Sequence, residues 1–164
     1  MTGLDIAISN ECDADALAVD GLEIRAFGPG RFARTAFRLR EGNTHDQQLS
    51  FVARVSTLVV GSIRLTPIRI GKHPGLLLGP LTVDPAFRAK GIGRMLIEAS
   101  VKAATAKGHR HIILVGDEAY YSRMGFKRVP QGKITMPGPV DPARILALAL
   151  DGGTIENIAG GVSP

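Results

Sequence analysis

The sequence has few aromatic residues and one cysteine, and each of these shortages excludes some classes of protein. Trp is absent and Tyr occurs only 2 times in 164 residues, so the aromatic platforms that stack nucleic acid bases are not expected. One cysteine, Cys12, cannot form an internal disulfide, which predicts a reducing compartment and a structural role for this side chain. No apolar run reaches the roughly 20 residues that cross a bilayer, and the opening MTGLDIAISN lacks a signal-peptide pattern. We therefore expect a soluble, cytoplasmic protein without a membrane partner.

The composition that remains is that of a globular domain with a basic surface. Hydrophobic residues make up 45% and charged residues 21%, and the length fits one domain over residues 1–164. The formal net charge of +5 favours a polyanionic partner. Because aromatic residues are scarce, a multiply charged small molecule is a better candidate than nucleic acid.

Two helices are predicted near the amino terminus. Asp13 is expected to cap the first helix, with Leu17, Ile24 and Phe27 on its apolar face. The second is expected over 31–41, with Phe32, Ala36 and Leu39 facing inward. Its arginine row, formed by Arg31, Arg34 and Arg38, can attract anions or simply face water, and we favour the second interpretation.

The rest of the chain predicts one sheet with helices against it. Alternating or apolar segments indicate strands over 49–55, 58–70 and 76–83, followed by strands over 111–117, 126–130 and 145–150. A helix begins at 91–93 and ends at Gly108, with one apolar stripe formed by Met95, Leu96, Ala99, Ala103 and Ala106. A short helix over 118–124 closes at Gly125, and residues 151–164 are expected to form a weakly ordered end. This order predicts an α+β or mixed α/β domain around one sheet.

The residues before the long helix have the character of a phosphate site. The first turn of a helix leaves about four N–H groups without partners, and the helix dipole adds positive charge there. Glycine at positions 91 and 93 lets a phosphate approach these groups, and Arg88, Lys90 and Arg94 add full charges. A pyrophosphate fits this description.

Two common nucleotide patterns do not fit the same segment. A P-loop needs Gly-Lys-Ser/Thr where Gly93 is followed by Arg94-Met95, and a dinucleotide fingerprint needs a glycine where Leu96 stands. A plain glycine-rich turn before a core helix remains an alternative for so short a pattern.

A second segment, about thirty residues later, adds specificity. Arg88-x-x-Gly91-x-Gly93, preceded by Leu-Thr-Val-Asp-Pro, resembles the acetyl-CoA-binding signature of the GNAT superfamily of acetyltransferases. Residues 116–126, GDEAYYSRMGF, resemble that superfamily's second signature, in the GD-x-x-YY-x-R-x-GF form of a bacterial branch of predicted N-acetyltransferases. The likeness covers roughly residues 5 to 130 and fades after them. Two signatures at the expected separation are more specific than either alone.

The resemblance implies a GNAT-like domain in which a splayed, mainly antiparallel sheet holds CoA. The wedge would lie between the strand ending at Val83 and the strand over 112–115. The pantetheine arm would pair with the backbone at Leu81, Thr82 and Val83, as an extra strand does. The pyrophosphate would lie on the N–H groups of the phosphate loop, namely Ala89, Lys90, Gly91, Ile92, Gly93 and Arg94, with Arg88 beside them.

The resemblance also implies catalytic roles. Tyr121 matches the family's tyrosine next to the CoA sulfur and is the expected general acid, whereas Tyr120 is expected to pack. The backbone N–H of Val83 is the expected oxyanion donor. No base is assigned, because the strand over 76–81 holds no carboxylate and Asp84 before Pro85 is better explained as a turn residue.

Other titratable residues do not change this interpretation. The histidines at 73, 109 and 111 are expected at the surface or at strand edges. Metal chemistry is not expected, because no group of metal-ligating residues has suitable spacing.

The expected function is transfer of the acetyl group of acetyl-CoA to a primary amine of unknown identity by direct attack in a ternary complex. The acceptor would be a small-molecule or peptide amine. Such a domain could also form a homodimer. One alternative is a noncatalytic CoA-binding sensor or interaction module, motivated by the missing carboxylate. A second, motivated only by charge, is an acyltransferase acting on a basic protein or an RNA-associated amine. A longer acyl-CoA donor also stays open.

Overall fold

The computed structural model describes residues 5–27, 43–151, 153–156 and 158–164. In chain order the elements are β1 (Ile6–Asn10), α1 (Ala16–Phe27), β2 (Phe51–Val55), β3 (Leu58–Ile70), β4 (His73–Val83), α2 (Ile92–Ala106), β5 (His111–Val115), α3 (Glu118–Tyr121), β6 (Lys127–Arg128), β7 (Ile134–Thr135), β8 (Ile145–Ala149) and β9 (Gly160–Ser163). The helix expected over 31–41, with its arginine row, lies outside the described residues, as does the side chain of Phe27.

One sheet with mostly antiparallel pairs organises the chain. Its strands follow the order β1-β2-β3-β4-β5-β8-β6, and β9 pairs with the end of β3 and with β7. Only β4 with β5 and β7 with β9 are parallel among the described strands. The expected α+β fold, a mainly antiparallel sheet flanked by helices, is confirmed.

The sheet splays at the carboxyl end of β4. Among the described residues, β5 pairs with β4 only at Leu76 and Leu77. Further along β4, Gly79 and Pro80 together stand opposite the single residue Arg64 of β3, which is a bulge. A bulge bends its strand and increases the local twist. The last residues of β4 therefore diverge from β5 and leave a wedge between the two strands.

The helices cover both faces of the sheet. Successive residues of a strand point to opposite faces, and Val52 and Ala53 are neighbours in β2. Val52 belongs to a buried cluster with Val19 and Leu22 of α1, whereas Ala53 belongs to the main core with Leu96 of α2. The long α2 and the wedge therefore share the main core, and α1 lies behind them.

The predicted inner face and cap of α1 were wrong. Leu17 is 86% exposed and Ile24 is 50% exposed, because other positions of the helix meet the sheet. Asp13 does not cap the helix. The residue before the first helical turn is Cys12, whose N–H donates to Oδ2 of Asp15 at 3.0 Å. Local propensity located the helix, but tertiary packing selected its buried face.

The predicted stripe on α2 was correct only in part. The buried residues of this helix are Ile92, Gly93, Leu96, Ile97, Ser100 and Ala104. The stripe was not recognised in the sequence because it contains a polar residue, Ser100. This residue can be buried because its hydroxyl donates to the carbonyl oxygen of Leu49 at 3.0 Å. Gly108, with φ of 84°, follows the helix end as expected. No helix within the described ranges has the length and apolar character needed to cross a membrane.

Two terminal strands were not recognised in the sequence. β1 is an edge strand that pairs with β2, and its partly exposed residues give a weak pattern. At the other end, where we expected a weakly ordered segment over 151–164, β9 pairs Val162 with Ile70 and Ser163 with Arg69. Ile158 and Val162 are buried there. Long-range pairing of this kind leaves little trace in a glycine-rich sequence.

Candidate donor-binding and active site

The loop from β4 to α2 is held in an unusual conformation. Oδ1 of Asp84 accepts the N–H of Ala86 at 2.9 Å, so this residue forms a turn as expected. Further on, Ala89 has φ of 64° and Gly91 has φ of 77°, both in the left-handed region. Few residues other than glycine adopt this conformation, and such strain is often found at functional sites.

The helix that follows begins without a side-chain cap. Four shorter helical turns of the described chain begin after an aspartate that accepts a backbone N–H, namely Asp46, Asp84, Asp117 and Asp141. The N-cap of the 15-residue α2 is Gly91, which has no side chain to accept a hydrogen bond from a first-turn N–H group. The first-turn N–H groups of α2 are therefore available to an anion, and the helix dipole favours one.

A cavity of about 320 Å³ opens onto this helix end. It is lined by Val83, Phe87, Arg88, Ala89, Gly91, Ile92, Gly93, Arg94, Tyr120, Arg123 and Met124. Seven of these were predicted from the sequence as donor-binding residues, whereas the predicted Leu81, Thr82, Lys90 and Tyr121 do not line it. Phe87, Arg123 and Met124 were not identified, although the second signature contains Arg123.

Charge in the cavity comes from three arginines. Arg88 and Arg94 lie on the α2 side, and Arg123 comes from the turn after α3. Arg94 also forms a surface ion pair with Glu98, with 3.0 Å between Nε and Oε1. Guanidinium groups on both sides of an uncapped helix end suit a polyphosphate.

The wedge exposes backbone groups of β4. The N–H of Asp84 donates to the carbonyl oxygen of Val60 at 2.8 Å, which makes these two residues a hydrogen-bonded pair. Hydrogen-bonded and non-hydrogen-bonded pairs alternate in an antiparallel ladder, so Val83, opposite Gly61, points its N–H and C=O away from β3. By the same alternation Leu81 faces the wedge, whereas the backbone of Thr82 is engaged by β3. Leu81 and Val83 can therefore pair with a ligand, but Thr82 cannot.

The two tyrosines of α3 occupy different environments. Their rings make an edge contact with centroids 4.9 Å apart. Tyr121 is partly buried beside Gly116, and its ring contacts Phe126 at 5.9 Å between centroids. Tyr120 packs its ring against Tyr121 as expected, but it also lines the cavity and is 39% exposed. Each hydroxyl is without a hydrogen-bond partner within the part of the chain that the structure describes.

Burial raises the pKa of both phenols. For Tyr121 the pKa rises to about 12, first through burial and then through the neighbouring Tyr120 and Asp117, while Arg144 acts in the opposite direction. The pKa of Tyr120 is also raised by burial. Both hydroxyls therefore stay protonated at neutral pH and can donate hydrogen bonds.

The described residues provide no obvious general base. Glu11 and Glu23 are buried on α1's side of the sheet, where both pair with Arg64. Burial alone would raise the pKa of Glu11, but the hydrogen-bonded Arg64 and the neighbouring His45 lower it to about 2, which makes this carboxylate a poor proton acceptor near neutral pH.

The predicted histidines lie far from the wedge. His73, His109 and His111 line a second cavity, of about 410 Å³, at the beginning of β4 and β5. His73 and Val83 are at opposite ends of the 11-residue β4, roughly 30 Å apart. Within the described ranges, no group of three or more His, Cys, Asp or Glu side chains could hold a metal ion.

Known proteins resemble this chain in sequence and in fold. The sequence model of the acetyltransferase (GNAT) domain matches residues 46–128. The chain is 30% identical over 118 residues to the uncharacterized N-acetyltransferase YjhQ of Escherichia coli (strain K12), covering 70% of this chain and 65% of YjhQ. The crystal structure of the GNAT family N-acetyltransferase YhbS from Escherichia coli in complex with CoA superposes with a TM-score of 0.84 at 23% identity, covering 99% of this chain and 91% of that chain. A GNAT family acetyltransferase from Brucella melitensis in complex with acetyl-CoA gives a TM-score of 0.74 at 27% identity, with 99% and 97% covered.

The chain belongs to the GNAT family of acetyltransferases. The expected enzyme class was an acyl-CoA-dependent N-acyltransferase of the GNAT type, and the family is one of N-acetyltransferases. A CoA-type donor, also expected, is what both structural neighbours bind. Assignment to one bacterial branch stays a prediction.

Proposed function

We propose that this chain transfers the acetyl group of acetyl-CoA to a primary amine of a small molecule or peptide, in the cytoplasm, by direct attack in a ternary complex. One observation carries the proposal: the uncapped amino end of α2 opens onto an arginine-lined cavity next to the free edge of β4. The helix end and the arginines would hold the pyrophosphate. The free edge of β4 would pair with the pantetheine arm and direct the thioester into the wedge.

The proposed reaction needs a hydrogen-bond donor for the carbonyl oxygen and a proton donor for the leaving sulfur. As a neutral amine attacks the acetyl carbon, the C–N bond forms and negative charge develops on the carbonyl oxygen. The N–H of Val83, which points into the wedge, would stabilise that oxygen. When the C–S bond breaks, the hydroxyl of Tyr121 would donate its proton to the departing thiolate. The amine proton would leave through water.

The first test is donor binding. Acetyl-CoA at 100 times its Kd should stabilise the protein by about 2.7 kcal/mol, which raises Tm by roughly 5–10 °C in thermal unfolding experiments. The shift should shrink as salt rises. S-acetyl-N-acetylcysteamine, which has the thioester but no phosphate, should give no comparable shift. An absence of binding by acetyl-CoA would disprove the proposal.

A panel of primary amines, assayed for release of free CoA, then tests catalysis. Turnover with at least one amine is the expected result. Tight CoA binding with no turnover on any amine would instead identify a noncatalytic CoA-binding module.

Charge reversal at Arg88 or Arg94 is expected to raise the donor KM at least tenfold, with a smaller effect on kcat. A phosphate contact binds ground state and transition state alike, and a charge-assisted hydrogen bond contributes about 1.5–3 kcal/mol. Steady-state kinetics of Arg88→Glu and Arg94→Glu would measure this. Lys102→Glu is the matched control, because Lys102 is an exposed cation of α2 that does not line the cavity. If all three variants kept the same KM, the pyrophosphate would have to bind elsewhere.

A further inference from the structure

Tyr120 is a cavity residue to which the signatures assign no chemistry. It lies on α3, yet its hydroxyl reaches across to the first turn of α2. A Cβ atom built on Gly93 would lie only 2.4 Å from Oη of Tyr120, whereas the next atom of the ring, Cζ, would be 3.7 Å away. The hydroxyl therefore occupies the space above Gly93 that any other residue's side chain would fill.

This contact gives Gly93 a different purpose from that of Gly91. A Cβ on Gly91 would meet no atom within 4 Å, so Gly91 is required for its left-handed backbone, with φ of 77°. Gly93 lies within α2 and is buried. What its missing side chain provides is room for the Tyr120 hydroxyl.

The surroundings of this hydroxyl point to an anionic partner. Tyr120 lines the cavity and its ring is partly enclosed. Its hydroxyl has no hydrogen-bond partner among the described residues. Its neighbours in the cavity are donors: the first-turn N–H groups of α2 and the guanidinium groups of Arg88, Arg94 and Arg123. Donors that line one cavity can share an acceptor, and a phosphate group has enough lone pairs for several of them.

We propose that Tyr120, positioned by the glycine at 93, donates a hydrogen bond to a phosphate oxygen of the bound donor and thereby determines donor affinity. The proposal rests on the proposed function, since it names a further contact of the same donor site. It separates the two adjacent tyrosines by role: Tyr120 binds the phosphate part of the donor, and Tyr121 acts at the sulfur.

The test is a double-mutant cycle read by calorimetric titration with CoA and by thermal unfolding. Tyr120→Phe should weaken CoA binding roughly 10- to 100-fold, the range for a hydrogen bond to a charged group, with little change in Tm without ligand. Gly93→Ala should weaken binding and lower Tm, because its Cβ displaces the hydroxyl. In Gly93→Ala/Tyr120→Phe the clash is gone, so Tm should recover and CoA should bind no more weakly than to either single variant.

A phosphate-free donor provides a measurement that a purely structural role would not affect. The KM for S-acetyl-N-acetylcysteamine should be the same in wild type and in Tyr120→Phe, while the KM for acetyl-CoA rises and kcat at saturation is kept. Equal CoA affinity in wild type and Tyr120→Phe, or multiplicative losses in the double variant, would overturn this inference and leave the proposed function standing. Failure of wild type to bind CoA would overturn both.

Discussion

Replacing Tyr121 with phenylalanine is expected to lower turnover by roughly 10²–10⁴-fold, the usual contribution of a general acid, while affinity for acetyl-CoA stays nearly intact. Phenylalanine keeps the ring that packs between Gly116 and Phe126 and removes only the hydroxyl. The measurement is kcat with a good amine, together with Kd for CoA. The matched control is Tyr120→Phe, for which the opposite result is expected: weaker donor binding with turnover kept at saturation. If the kcat of Tyr121→Phe equalled that of wild type, Tyr121 would not be the general acid.

The pKa of Tyr121 predicts how the pH profile should look. At about 12 it lies roughly 3.5 units above that of an ordinary thiol, so complete proton transfer to the thiolate is uphill by roughly 5 kcal/mol. The hydrogen bond therefore strengthens as charge grows on sulfur, and the proton moves late. Because the phenol stays neutral below about pH 11, its ionisation cannot limit the rate there. An alkaline limb at lower pH, shared by wild type and Tyr121→Phe, would belong to another group.

The donor site was largely predictable from the sequence because its chemistry is local. Glycine at 91 and 93, a helix start and nearby cations lie within a few residues, and a helix end binds anions in any fold. The opening of the sheet beside Val83 was implied by the family resemblance, and the structure gives its physical basis in the bulge at Gly79 and Pro80.

What the sequence did not reveal depends on contacts between distant elements. Arg123 enters the cavity from the turn after α3, and Tyr120 reaches Gly93 across the same gap. Neither contact has a local pattern. Likewise Ser100 is buried because Leu49, far away in sequence, supplies its acceptor, and β9 forms because β3 offers an edge.

The sequence also did not identify the buried ion network behind the wedge. Arg64 lies opposite the bulge, and its Nη2 is 2.9 Å from Oε2 of Glu11 and its Nη1 is 3.6 Å from Oε1 of Glu23. His45 adds a contact of 3.2 Å to Glu11. Two carboxylates and a guanidinium from three separate segments meet here, and the network ties α1 and its preceding loop to β3.

Replacing Arg64 with methionine is therefore expected to destabilise the protein by about 3–5 kcal/mol, the usual cost of leaving a buried charge without its partner. In thermal unfolding this should lower Tm by on the order of 10 °C for a chain of this size. The matched control is Arg94→Met, whose partner Glu98 is at a similar distance but whose pair is 62% and 63% exposed. Its loss should cost less than about 1 kcal/mol. Equal losses of stability in the two variants would mean that burial does not govern the Arg64 pair.

The same network should make the protein less stable in acid, over the pH range in which Glu11 takes up a proton. Its pKa is lowered from the ordinary 4.5 to about 2 in the folded protein, so folding favours the charged form. That contribution, about 3 kcal/mol at 1.36 kcal/mol per pKa unit, is fully present above about pH 5 and is lost as pH falls towards 2. Urea denaturation of wild type and Glu11→Gln at pH 7, 4 and 2.5 would measure it. Stability of Glu11→Gln should fall less steeply between pH 5 and 2, because glutamine takes up no proton; parallel pH profiles would show that other carboxylates govern acid unfolding.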